Sequence, residues 1–286
     1  MKSWKKSVGI WISALGATWA CRMDTWQAPE TAFVVIDSAS LAGNVDSVGS
    51  LRVQIEGIWL FSATEPLGAY PMGARIPINP EQVDTLILKA GVRESGLANT
   101  LIPYPFFQPL FLPFTASIGR IDTLRPAFRY YPHTRFWFIE GFENAWSYWG
   151  ASSRNTASFS VITAPDQTFE GRGTLHAQVA QQHIFEIITL ESYAVDTLRS
   201  SVYFEMHYRT DDTLVVGAYI IQGRDTLQRP LIYLKPTSKW RKIYINFTDF
   251  LGGATEGMRA RFFVGARNLD STIGHTWLDN LKVLSF

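Results

Sequence analysis

Two stretches of the 286-residue chain set flat rings and hydrogen-bonding heads at alternate positions, the pattern of a strand with two unlike faces. In Ser201 to Arg209, Val202, Phe204, Met206 and Tyr208 fall on one side, and Tyr203, Glu205, His207 and Arg209 on the other. Arg241 to Phe247 repeats the scheme, with Ile243, Ile245 and Phe247 opposite Trp240, Lys242, Tyr244 and Asn246. Placed in one sheet, the second set makes a face of aromatic and polar groups that His176 and Gln178 would extend. Ring-shaped polyols suit such a face, because their C–H sides stack on aromatic rings while their hydroxyls need polar partners. Trp240 and Tyr203 are the rings expected to carry it. The same alternation also describes the solvated side of an ordinary sandwich, where long polar side chains lie over one another.

Bond-breaking chemistry has weaker support. Glu140, Glu143, Glu186, Glu205 and Asp279 include carboxylates that could be set roughly 5–10 Å apart, as glycoside hydrolysis needs, but any sandwich with 25 acidic residues offers such pairs. The histidines, His133, His176, His183, His207 and His275, show no metal-ligand spacing, and no serine, histidine and aspartate set occupies a recognisable elbow. Leu251-Gly252-Gly253 lacks the lysine and the following helix of a phosphate cradle. No cofactor is expected. With 26 basic and 25 acidic side chains and no run of like charge, the chain has no footprint for nucleic acid.

The elements that must position these residues follow an address segment. Lys2, Lys5 and Lys6 precede an apolar run, Ser7 to Thr18, of about a dozen residues, and a small residue, Ala20, precedes Cys21. Cys21 is the only cysteine, which removes any disulfide framework and leaves one thiol where a lipid-modified N-terminus would form. This resembles a bacterial lipoprotein, although Thr18-Trp19-Ala20-Cys21 departs from the usual lipobox at its first two places. We expect a lipoprotein signal peptide over 1–21 with acylated Cys21 inserted in outer-membrane lipid, and a polar tether over 22–31.

From Ala32 onward the period is that of strands. Leu51, Val53 and Ile55 alternate with polar neighbours, and Phe33 to Ile36, Ile58 to Phe61 and Thr85 to Lys89 are further short runs between turn signals. The expected fold class is all-β: an immunoglobulin-like sandwich over 32–114, a linker over 115–135 and a jelly-roll sandwich over 136–286. Pro103, Pro105, Pro109 and Pro113, interleaved with Tyr104, Phe106, Phe107, Phe111 and Phe114, read as a rigid segment whose rings wedge the two domains together.

Phe138-Ile139-Glu140-Gly141-Phe142-Glu143 with Trp146, the stretch Gly171-Arg172-Gly173-Thr174-Leu175, and Thr276-Trp277-Leu278-Asp279-Asn280-Leu281 are similar to strands of galactose-binding-like jelly rolls, the fold of many carbohydrate-binding modules. The whole order, anchor, immunoglobulin-like domain, then jelly roll, resembles uncharacterised outer-membrane lipoproteins of the Bacteroidota. The resemblance implies a lipid-anchored, non-catalytic binding protein of the cell envelope, with a glycan or an outer-membrane protein as partner, on either the periplasmic or the cell-surface side. An accessory subunit of an outer-membrane complex ranks second and a glycan hydrolase a distant third. The resemblance also implies a structural calcium ion held by Glu143 and Asp279.

Overall fold

The computed structural model describes residues 31–80, 83–97, 99–115, 118–195, 201–270 and 272–286. The expected leader, Cys21 and the tether up to residue 30 lie outside the described residues. The fold is all-β. The first domain contains β1 (Ala32–Ile36), β2 (Ser40–Leu41), the single-turn α1 (Val45–Val48), β3 (Gly57–Phe61), β4 (Pro66–Pro71), β5 (Arg75–Ile78), β6 (Thr85–Arg93), β7 (Leu101–Pro103), β8 (Leu110–Pro113), β9 (Ile121–Leu124) and β10 (Ala127–Phe128). One sheet runs β5-β1-β9 and another β4-β3-β6-β7, with β8 on the first half of β6 and a short β2/β10 ladder besides. Alternate residues Val34, Ile36, Ile58, Leu60, Ile76, Ile78, Leu86 and Leu88 meet in its core.

Two expectations are corrected here. Residues 115–135 are not a plain linker, because β9 pairs in parallel with β1 and β10 with β2, closing the first domain. Four- and two-residue strands are too short to show a period, and their partners lie far away in sequence. Leu51, Val53 and Ile55 do pack on the core, but 51–56 joins no ladder. Its polar groups turn to the second domain instead: the Gln54 amide donates to the Tyr244 hydroxyl at 3.2 Å, and the Lys242 amide to Gln54 Oε1 at 3.3 Å.

The second domain contains β11 (Arg135–Glu140), β12 (Trp149–Ala151), β13 (Ser158–Ile162), β14 (Thr174–Val179), β15 (Ile184–Thr189), β16 (Tyr193–Ala194), β17 (Val202–Thr210), β18 (Leu214–Gln222), β19 (Asp225–Leu234), β20 (Thr237–Asn246), the single-turn α2 (Thr248–Leu251), β21 (Arg259–Arg267) and β22 (Gly274–Ser285). One sheet runs β13-β14-β22-β17-β20, with β11 beside the second half of β22. The other runs β12-β15-β21-β18-β19, with β16 on the start of β21. Phe185, Phe204, Met206, Phe247, Phe262, Val264, Leu278, Leu281 and Val283 fill the space between them. β22 changes partner from β14 to β11 near Asn280, which has φ 53°. Asparagine tolerates that left-handed geometry better than most side chains, and the kink falls opposite a register shift in β17.

Candidate functional site

β17 and β20 do lie side by side, with Tyr203 opposite Asn246, Glu205 opposite Tyr244 and His207 opposite Lys242. Their inward residues are those expected, yet the opposite face is covered by the first domain. The Tyr203 ring meets Tyr104 edge-on at 5.4 Å and Phe106 at 5.7 Å, and its hydroxyl donates to Glu94. Tyr244 packs against Tyr104 at 4.8 Å, while Asn246 Nδ2 donates to Glu94 Oε1 at 2.8 Å. The proline-fixed rings thus do wedge the domains together, and the large rings of β17 and β20 find their partner within the chain.

Glu205 lies at the centre of this junction with no exposed surface. Its carboxylate pairs with the Lys242 ammonium at 2.7 Å and faces that of Lys282 at 3.9 Å. It also accepts from the hydroxyls of Tyr104 at 2.6 Å and Tyr130 at 2.9 Å, both from the first domain. Lys282 Nζ donates to the Val48 carbonyl at 2.7 Å. Burial alone would raise the Glu205 pKa, but the two ammoniums and the tyrosine bond pull it down to about 2. Burial, then the charge of Glu205, holds the Tyr104 and Tyr130 hydroxyls protonated well above the ordinary range. Tyr203, Glu205, Lys242 and Tyr244 are therefore an interdomain lock and are not open to a ligand, and Asn246 belongs to its rim.

The other predicted residues form a strip beyond the cover. His207 is buried under Phe169, with ring centroids 4.3 Å apart, and Phe169 meets Trp240 at 4.9 Å. Burial, then Lys242 and Lys282, lowers the His207 pKa, so its ring is neutral. The Arg209 guanidinium stands 3.8 Å over Trp277 and 5.7 Å from Trp240. Trp277 lies nearly parallel to His176 at 4.9 Å, and His176 and His275 share a hydrogen bond of 3.0 Å. Gln178, opposite His275, is exposed at the end of the row. Phe169, Trp277 and His275 complete this strip. The last two alternate along β22 in step with His176 and Gln178, a register that becomes visible only once the two strands are paired. The rings of His176, His275 and Trp277 stand on one another, and the Arg209 guanidinium also covers Trp277.

A more open site lies at the β11 edge of the same sheet. A cleft of about 1010 Å³ is walled by α1 and the following Gly49 and Ser50, by β11, by the loop carrying Asn144, Trp146 and Tyr148, and by Glu170, Gly171 and Asn280. Trp146 is 59% exposed and meets Tyr148 edge-on at 4.7 Å, so much of its ring faces the cleft mouth. Glu143 shapes the loop opposite: its carboxylate accepts from the Arg172 amide at 2.9 Å and the Gly173 amide at 3.2 Å. Gly171 has φ 65°, and a Cβ there would collide with that carboxylate; one on Gly173 would collide with the Phe142 carbonyl. Glu140 accepts from the amides of Phe142 and Tyr148 at 2.7 and 2.9 Å and from Ser147 Oγ at 2.6 Å. Asp46, Glu140, Glu143 and Glu170 line the cleft; among the described residues no lysine or arginine lines it, although Arg172 stands 3.6 Å from Glu143 and Arg52 3.8 Å from Glu170.

The same geometry corrects the calcium assignment. Glu143 is occupied by loop amides, while buried Asp279 accepts from Thr174 Oγ1 at 2.7 Å and from the Asn280 amide at 2.7 Å. Burial, against those bonds, raises the Asp279 pKa to about 8, so at neutral pH it is mostly a neutral acid. Among the described residues no three His, Cys, Asp or Glu side chains converge as a metal would require. Glu186 is likewise committed, accepting from Ser152 and Tyr219 hydroxyls at 2.6 Å each and from Gln228 at 2.7 Å.

No protein-family model matches the chain, and no curated protein does. Among solved structures, the CBM22-1 xylan-binding domain from Paenibacillus barcinonensis Xyn10C is similar at 13% identity and TM-score 0.39, over 53% of this chain and 94% of that one. TmCBM61 in complex with beta-1,4-galactotriose is similar at 12% identity and TM-score 0.36, over 51% and 95%. A family 11 carbohydrate-binding module from Clostridium thermocellum, in complex with a mixed-linked tetrasaccharide, is similar at 13% identity and TM-score 0.36, over 52% and 94%. At these scores the fold assignment rests on the strand order itself.

Proposed function

We propose that this is a non-catalytic glycan-binding protein of the outer membrane, anchored through an acylated Cys21, that holds a neutral sugar chain in the cleft beside Trp146. The observation that carries this reading is the cleft itself. It is large enough for several sugar units, offers an exposed indole for a C–H face, and is lined by acceptor oxygens, with Arg172 beside Glu143 and Arg52 beside Glu170 at its margin. Acceptors suit hydroxyl donors, and Asp46 and Glu140, which have no ion pair among the described residues, disfavour an anionic sugar. Binding rather than hydrolysis is supported by the bonds on Glu140 and Glu143, each held by backbone amides in the shape of the site. The first domain, read as immunoglobulin-like, acts as a fixed wall, since α1 supplies one side of the cleft.

Affinity electrophoresis in gels containing xylan, β-1,4-galactan or mixed-linked β-glucan tests the reading. At least one neutral polymer should retard the protein, and Trp146→Ala should weaken binding by about 30-fold or more, as loss of an anchoring ring does. Its melting temperature should stay near wild type because the ring is largely exposed. Migration unaffected by every neutral polymer, or equal retardation of the variant, would overturn it.

A further inference from the structure

The junction has a second hollow at the opposite edge of the sheet, beyond β20, where the acidic cleft lies beyond β11. This groove of about 570 Å³ is bounded by the end of β6 and the residues after it, by the β19–β20 turn at Lys235 and Pro236, and by the outer half of β20. Its charge is reversed. Arg93, Lys235, Arg241 and Lys242 line it against a single carboxylate, Glu56. That carboxylate is occupied, because Arg93 pairs with it and Gln54 Nε2 donates to it at 2.6 Å. The Lys242 ammonium is turned away to Glu205 at 2.7 Å. Lys235 and Arg241 remain, both exposed, and among the described residues neither has an ion-pair partner. Beside them Tyr233 is 66% exposed and Leu97 59% exposed, so a ring and an aliphatic chain flank the two cations.

We propose that this groove is a separate ligand site for an acidic sugar, one carrying a carboxylate or a sulfate on its ring. Arg241 offers the planar fork that takes an oxyanion through two parallel bonds, and Lys235 adds a second charge across the turn. Tyr233 supplies the face against which the sugar's C–H side stacks. Pro236 fixes the turn, which keeps Lys235 and Thr237 at a set separation. The sign of the groove disfavours cationic ligands and favours an anionic sugar over a neutral one. The inference stands whether or not the β11 cleft binds a glycan.

The test is calorimetric titration of the full chain with three probes of equal length: galactotriose, its sulfated form, and trigalacturonate. At least one charged probe should bind, and which one binds identifies the acid group. Affinity should fall several-fold as salt rises from about 0.05 to about 0.5 M, because the cations are at the surface and screened. Lys235→Gln combined with Arg241→Gln should weaken that binding at least about 10-fold with an unchanged melting curve, whereas Trp146→Ala should leave it intact. The proposal is overturned if neither charged probe binds better than galactotriose, or if the double variant holds the charged probe as tightly as wild type.

Discussion

Replacing Glu205 by glutamine tests whether the two domains are one cooperative unit. The substitution keeps the side chain's shape and an acceptor for Tyr104 and Tyr130, but it leaves the Lys242 ammonium, and Lys282, whose pKa burial already lowers to about 7, facing no anion from 2.7 and 3.9 Å. Breaking a buried pair in this way costs about 3–5 kcal/mol, since the remaining charges stay desolvated. Linkage gives a similar figure. The Glu205 carboxyl falls from 4.5 to about 2 on folding, which corresponds to roughly 3 kcal/mol at neutral pH. Because the folded pKa is the lower one, that stability is present above about pH 4.5 and is lost as pH falls toward 2. Urea unfolding followed by tryptophan fluorescence should therefore show E205Q about 3 kcal/mol less stable at pH 7, with a flattened acid limb. Replacing Glu205, Lys242 and Lys282 together by methionine should recover much of the loss, because no charge then remains buried. If E205Q lies within about 1 kcal/mol of wild type at pH 7 and loses stability below pH 4 just as wild type does, the junction is not held by this carboxylate.

Asp279→Asn should stabilise the protein at pH 7. The folded pKa of about 8 exceeds the unfolded 3.8, so folding there holds a proton that the unfolded chain releases, and stability declines as pH rises through that window. A gain of up to a few kcal/mol at pH 7 that vanishes at pH 4 is expected from thermal melts, and an equal effect at both values would refute the protonation argument. Gly171→Ala should cost about 1–3 kcal/mol and disturb the cleft, because φ 65° and the Glu143 carboxylate both oppose a Cβ; an unchanged melting temperature would show that the loop has room to yield. Cys21→Ala should release the protein from outer-membrane fractions in detergent-free extracts, since stable anchoring needs acyl chains; persistent fractionation with the membrane would place the attachment elsewhere.

The inner faces of the strands were legible because a period of two reports burial directly: Val202, Phe204 and Met206, and Ile243, Ile245 and Phe247, all lie in the jelly-roll core. What the period could not report is burial on both sides. Tyr203, Glu205 and Tyr244 alternate with those residues as a solvated face would, yet they are closed over by the first domain. Amphipathic residues satisfy either setting, since a tyrosine or glutamate survives burial once its polar tip has a partner. Here the tips are matched across the junction by Tyr104, Tyr130, Glu94 and Gln54, contributed by segments that read as proline-rich, linker, turn and alternating stretches. The cleft was hidden for the same reason: Trp146 and Glu143 were visible in the sequence, but the wall that α1 supplies comes from a part of the chain about a hundred residues earlier.

Covering the middle of the sheet also decides where ligands can go. A free jelly roll would offer the whole β17–β20 face, including Glu205, whose charge would then be answered mainly by Lys242 and Lys282. Once the first domain closes that face, open volume remains at its two margins. On the β11 side Lys282 is drawn inward to Glu205 and Val48, and the exposed Arg52 and Arg172 stand beside Glu170 and Glu143. On the β20 side Lys242 turns inward and Glu56 pairs with Arg93, so Lys235 and Arg241 are left unanswered. Glu205 thus draws one lysine inward on each side of the junction, so E205Q should alter the electrostatics of both margins as well as the stability of the junction.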